Sequence, residues 1–193
     1  MTALRAVVCG LIAGMLVSLY RQGIDAGTRV ARWAYAWIGI HPVWVALWAA
    51  VVVLAALLVA ALVRFEPMAG GSGIPQVEGV VLRGMRMRWW SVLIVRYVGG
   101  LLCGMFGLSL GREGPSIQIG AASSQAVGKG MRRRGIEANY LVTAGAAAGL
   151  SAAFNAPLSG MMFALEEVHR SFSPMILLSA TAASLSADFV SKY

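Results

Sequence analysis

Two short phrases, Gly71-Ser72-Gly73-Ile74-Pro75 and Gly111-Arg112-Glu113-Gly114-Pro115, interrupt apolar sequence with glycine, proline, a hydroxyl and ionisable groups. At membrane depth such groups are tolerated only where they face protein or a water-filled cavity, so each points to an ion pathway. A helix that starts inside the membrane presents unpaired backbone N–H groups and a partial positive charge, and glycine lets that backbone approach a ligand closely. Both phrases place a proline near the first turn of the next segment, at Pro75 and Pro115, and a third such start is expected near Pro157. Half-helices aimed at a midplane site are a transporter device. The anion-binding candidates are therefore Ser72, Gly73 and Ile74 in the first phrase and Gly111, Arg112 and Gly114 in the second.

Ser72 can donate a hydroxyl hydrogen bond without bringing a full charge, which suits an ion that must be released as well as bound. The same serine could instead cap the helix that follows. Glu113 sits beside an anion-attracting helix end, where its carboxylate can occupy the site and leave when protonated; the alternative is a first-turn acid placed favourably on the helix dipole. Glu166 and Glu167 close an apolar segment and read locally as interfacial charge. Arg96, inside a span, is either a buried counter-charge or a side chain that reaches to the interface. His41 and His169 read as interfacial, and two histidines make no metal site.

Composition sets the surroundings. Of 193 residues 59% are apolar and 12% charged, against roughly 25% charged in an ordinary soluble domain, and the mean hydropathy is +0.73. The chain reads as a single integral membrane domain, with the lipid bilayer as its partner. The net charge of +8 comes from arginines in short clusters between apolar segments, which fits membrane-flanking loops and not a nucleic-acid face. Cys9 and Cys103 lie in apolar runs and read as small buried hydrophobes. The start resembles a signal peptide but lacks the small-residue cleavage pattern, so a retained first helix is expected. An intramembrane enzyme would need a nucleophile with its base or a metal cluster, and no such set is visible; no cofactor is expected.

At about 20 apolar residues per span, the chain has room for roughly five to seven helices. The expected elements are a span over 6–20 that is short unless it continues into Gln22-Gly23-Ile24, a secure one over 42–63, a half-helix over 76–83 and a span from Trp89 to about Leu110. An interrupted helix follows over 115–127, then 139–153, a break at Phe154-Asn155-Ala156-Pro157, a resumed segment over 158–165 and a last helix over 174–190. The fold class is thus all-α and polytopic, with broken or re-entrant helices. Trp89 and Trp90 mark an interface, and Gly99-Gly100 implies close helix packing.

Taken with the stretch from Gly145-Ala146-Ala147-Ala148-Gly149-Leu150-Ser151 through Phe154-Asn155-Ala156-Pro157-Leu158-Ser159-Gly160, and with Arg96-Tyr97-Val98-Gly99-Gly100, the two opening phrases closely resemble the CLC family of chloride channels and chloride/proton antiporters. The resemblance implies a membrane protein of two inverted repeats, of which 1–193 is the first, assembled as a homodimer with one anion pathway per subunit. It implies that Ser72 contributes to the central chloride site, that Glu113 is the external gate, and that Glu167 is the internal proton-transfer glutamate of the antiporters; channel members usually lack an acid there. Serine at 72 favours chloride over the proline-bearing nitrate pattern, and Pro115 argues against the fluoride-selective branch. Chloride and protons are then the transported ions, and the bacterial inner membrane the expected location. The family's second-half motif and its chloride-coordinating tyrosine have no counterpart, so the chain reads as a fragment, as one chain of a split transporter, or as a self-assembling half. A non-transporting structural or regulatory half-subunit, or a fragment of a channel, is the alternative. Pairing with an inverted copy is disfavoured by the charge bias, which sets Arg64, Arg83, Arg86, Arg88, Arg132, Arg133, Arg134 and Arg170 against Arg21, Arg29, Arg32 and Lys192.

Overall fold

Apolar stretches cut by glycine and proline fold as helices, and the computed structural model, which describes residues 2–108 and 111–192, contains no strand among them. The helices are α1 (Thr2–Ile40), α2 (Val45–Phe65), α3 (Ile74–Arg83), α4 (Trp89–Met105), α5 (Glu113–Gly130), α6 (Ile136–Phe154), α7 (Pro157–Phe163) and α8 (Pro174–Lys192). Short 3-10 turns at Pro42–Trp44 and Pro67–Ala69 and a π turn at Ala164–Val168 join them. Three helices, α1, α2 and α8, are long and apolar enough to cross a membrane by length and composition.

The half-helix and the break at 154–157 fall where the sequence puts them, because Gly73 and Asn155 take left-handed backbone and Pro157 can only begin a helix. The first span does not. Instead of stopping near Tyr20, α1 runs unbroken for 39 residues, about 58 Å at 1.5 Å per residue and roughly twice a hydrocarbon core. Charged residues end a hydropathy window without ending a helix. Arg21 is absorbed by donating to Ala152 O (3.2 Å), Asn155 Oδ1 (3.3 Å) and Ser191 O (3.3 Å), acceptors at the C-terminal ends of α6 and α8. α5 likewise outruns its expected 115–127, starting at Glu113 and continuing through Gly128-Lys129-Gly130. Eight helices stand among the described residues, one for each of the eight segments expected from the sequence, although length alone left room for only roughly five to seven full spans. α4 stops at Met105, and Leu110, the expected end of that span, lies outside the described residues.

α6 is the hub, buried from Leu141 through Gly149 and packed against α1, α5, α7 and α8. Small residues let the backbones approach: a Cβ on Gly145 would overlap α5 at Gly120 and Ser124, and one on Gly149 would overlap the Ser116 carbonyl. Asn139 Nδ2 donates to Val81 O (3.1 Å), Arg5 pairs with Glu137 (3.5 Å), and Arg88 faces Glu66 (3.9 Å). These contacts gather the basic segments around 83–88 and 132–134 at one end of the bundle, opposite the end that Arg21, Asn155 and Ser191 occupy.

Candidate anion site

The two glycine phrases build matching helix starts. Gly71 (φ +64) and Gly73 (φ +92) reverse the chain into α3, whose first bond is from Val77 N to Gly73 O (3.2 Å). Gly111 (φ +74) turns the chain toward α5, where Ser116 N donates to Arg112 O (3.1 Å). Pro75 and Pro115 have no N–H, so the amides of Ile74 and Gln76 in one helix, and of Glu113 and Gly114 in the other, precede the first helical bond. Their partial positive charge has no counterpart within either helix.

The starts are pressed together. A Cβ on Gly114 would overlap the carbonyl of Ser72, and one on Gly73 would lie 3.0 Å from both Gly114 O and Arg96 Nη2. Arg96, projecting from α4, ties the first turn down: Nη2 donates to Gly71 O (2.9 Å) and Gly70 O (3.1 Å), and Nε reaches Gln118 Oε1 of α5. Gln118 in turn donates through Nε2 to Met68 O (2.7 Å). Among the described residues no carboxylate pairs with Arg96; of the two sequence options the side chain turns inward rather than out to an interface, a part-buried cation held by backbone carbonyls and an amide.

Between the turns and α4 lies a cavity of about 620 Å³. Ser72, Ile74, Gly111, Arg112, Glu113 and Gly114 line it, so six of the candidates meet in one space. Gly73 sits buried behind them, its role being the close approach just described. Ser72 does not cap α3: the cap position is Gly73, with no side-chain cap hydrogen bond, and the Ser72 residue is exposed. Glu113 is exposed and folds back, with Oε2 set 2.7 Å from where a Cβ on Gly111 would be. Arg112 leans toward Asp25 of α1 (3.8 Å), a half-exposed pair of little energetic weight.

Glu167 stands apart. It is exposed in the π turn closed by His169 N donating to Ala164 O (2.9 Å), as Glu166 is, and neither lines the cavity. Near it Arg170 pairs with Glu78 (3.2 Å) and Thr143 Oγ1 meets His169 Nδ1 (3.1 Å). The sequence reading missed Tyr20 and Thr28 of α1 and Cys103 of α4, all of which line the cavity. Gly99, Gly100 and Gly104 of α4, with Gly107 in the turn after it, are the signal for a wall against the site; nothing local distinguishes Tyr20.

A family model described as voltage gated chloride channel matches residues 54–193. The chain is 40% identical over 172 residues to the H+/Cl− exchange transporter ClcA of Yersinia pestis bv. Antiqua (strain Angola), covering 86% of this chain and 36% of that protein. It is 40% identical over 176 residues to ClcA of Klebsiella pneumoniae (strain 342), covering 88% and 36%. Its structure resembles that of a slow cyanobacterial Cl−/H+ antiporter (TM-score 0.81, 31% identity, 98% of this chain and 46% of that one). The fold alone is shared with a CLC-type fluoride/proton antiporter (TM-score 0.73, 23% identity, 97% and 46%). The chain belongs to the voltage-gated chloride channel family, of the CLC type, and spans about a third of the length of the curated relatives it matches.

Proposed function

We propose that this chain is the first half of a chloride/proton antiporter's membrane domain, with the Ser72–Glu113 cavity as its share of the anion pathway. The observation that carries the reading is that two helix starts, packed against each other, line one cavity together with a hydroxyl and a carboxylate. Amide and hydroxyl dipoles hold a halide moderately, as conduction requires, and the Arg96 guanidinium adds positive potential behind the Ser72 turn. Glu113 competes with the anion for the same positive end and yields it on protonation. Glu167 passes protons on the other side of the bundle, by a route separate from the anion's. The pathway is completed by a second half-repeat, the assembly is a dimer, and its place is the bacterial inner membrane.

The experiment is flux from vesicles holding the complete assembly. An outward chloride gradient is expected to drive proton uptake; chloride movement without proton movement refutes antiport, and movement of neither refutes transport.

A further inference from the structure

α5 carries positive charge at its far end, where Lys129, Arg132, Arg133 and Arg134 wall a separate cavity of about 690 Å³ together with Gln125 and Gly128. No acid is among the described residues lining it. Glu137 lies just outside, its carboxylate shared between Arg133 (3.4 Å) and Arg5 of α1 (3.5 Å), so one acid serves two guanidinium groups. Arg133 Nε and Gln125 Oε1 are buried without hydrogen-bond partners, an unfavourable arrangement that a polar ligand would relieve.

The backbone carries an independent mark. Arg132 takes φ +54 in the turn that closes α5, where Arg133 N donates to Gly128 O (2.8 Å). Glycine adopts that left-handed position free of strain, so an arginine is held there at a cost in stability. Complementing the helix dipole would call for cations in the last turn but not for one on strained backbone beside a cavity. Apolar surface adjoins the charge: Leu4 and Ile136, sequence neighbours of the Arg5–Glu137 pair, are 72% and 69% exposed.

We propose that this cavity binds the phosphate of an anionic phospholipid headgroup, with the acyl chains lying along Leu4 and Ile136. Clustered arginine suits phosphate, and a basic pocket between helices at a membrane surface is a headgroup site by its chemistry. Exposed aliphatic residues beside the charge favour a lipid over a soluble anion.

The test uses the purified complete assembly in detergent, titrated with phosphatidylglycerol, with phosphatidylcholine of the same chains, and with inorganic phosphate. Retained lipid is counted by native mass spectrometry and Tm is followed in parallel. Phosphatidylglycerol is expected to be retained and to raise Tm, with phosphatidylcholine and phosphate doing neither. In phosphatidylcholine Arg132→Gly, which relieves the backbone, is expected to hold or raise Tm and Arg134→Gln to leave it intact, while each weakens phosphatidylglycerol binding about fivefold for the cation removed. Equal effects of the two lipids, unchanged binding in both variants, or full reproduction of the effect by phosphate would each overturn the proposal. None of these outcomes bears on the anion cavity at the other end of α5.

Discussion

Arg96 Nη2 donates at 2.9 Å to the carbonyl of Gly71, and that carbonyl belongs to the peptide whose amide is that of Ser72. The turn carrying the hydroxyl is therefore fixed by a guanidinium from another helix. Arg96→Met removes all three contacts while keeping an aliphatic stem, and a charge-assisted bond is worth about 1.5–3 kcal/mol. Stability should fall by about 2 kcal/mol, with chloride flux falling alongside. Arg96→Lys keeps the charge but not the fork, and should recover part of the flux without recovering the stability. Thermal unfolding and vesicle efflux check the pair; an unaffected Tm in Arg96→Met would remove the clamp from the account.

Gly114 has no room for a side chain against the Ser72 carbonyl, whereas a Cβ on Gly130, at the other end of the same helix, meets nothing within 4 Å. Gly114→Ala should cost about 1–3 kcal/mol by forcing the two turns apart. Gly130→Ala should be neutral or slightly stabilising, by about 0.5 kcal/mol. Chemical denaturation of both variants separates a local collision from a general preference for glycine in α5; equal effects would deny the contact its importance.

Ser72→Pro removes the hydroxyl donor and alters the dipoles at the cavity, so the preference should move from chloride toward nitrate. Because Ser72 caps no helix, α3 should survive the change. Competition between the two anions is the measurement. An unaltered ratio would leave Ser72 with no part in selectivity.

Glu166 and Glu167 are adjacent and both exposed, yet their expected roles differ. Glu167→Gln should abolish chloride-driven proton uptake with chloride movement largely intact, and Glu166→Gln should do much less. Matching behaviour of the two variants would mean that the π turn contributes charge only in bulk.

Much of this was legible in the sequence, for a physical reason. A residue that tolerates left-handed backbone, followed by proline, fixes where a helix can start, so Gly73 with Pro75 and Asn155 with Pro157 let the beginnings of α3 and α7 and the breaks before them be read directly. What escaped were features set by distant partners. α1 continues past Arg21 because carbonyls at residues 152 and 191 receive that charge, contacts more than a hundred positions away. Arg96 stayed ambiguous because its partners are carbonyls at 70 and 71 rather than an acid. Tyr20 enters the cavity wall through packing of α1 on α4, which no spacing within α1 announces. The candidate site was legible as two motifs aimed at one place; the packing of Gly114 on the Ser72 carbonyl was not.

If Glu113 competes with the anion at the paired helix starts, Glu113→Gln, which imitates the protonated carboxylate, removes that competition. Chloride efflux and proton movement would be followed together in vesicles between about pH 4 and pH 7, a range that spans carboxylate titration. Chloride flux in the variant is expected no longer to vary with pH and to be uncoupled from protons. A pH profile and a coupling both indistinguishable from those of the unaltered protein would contradict that competition.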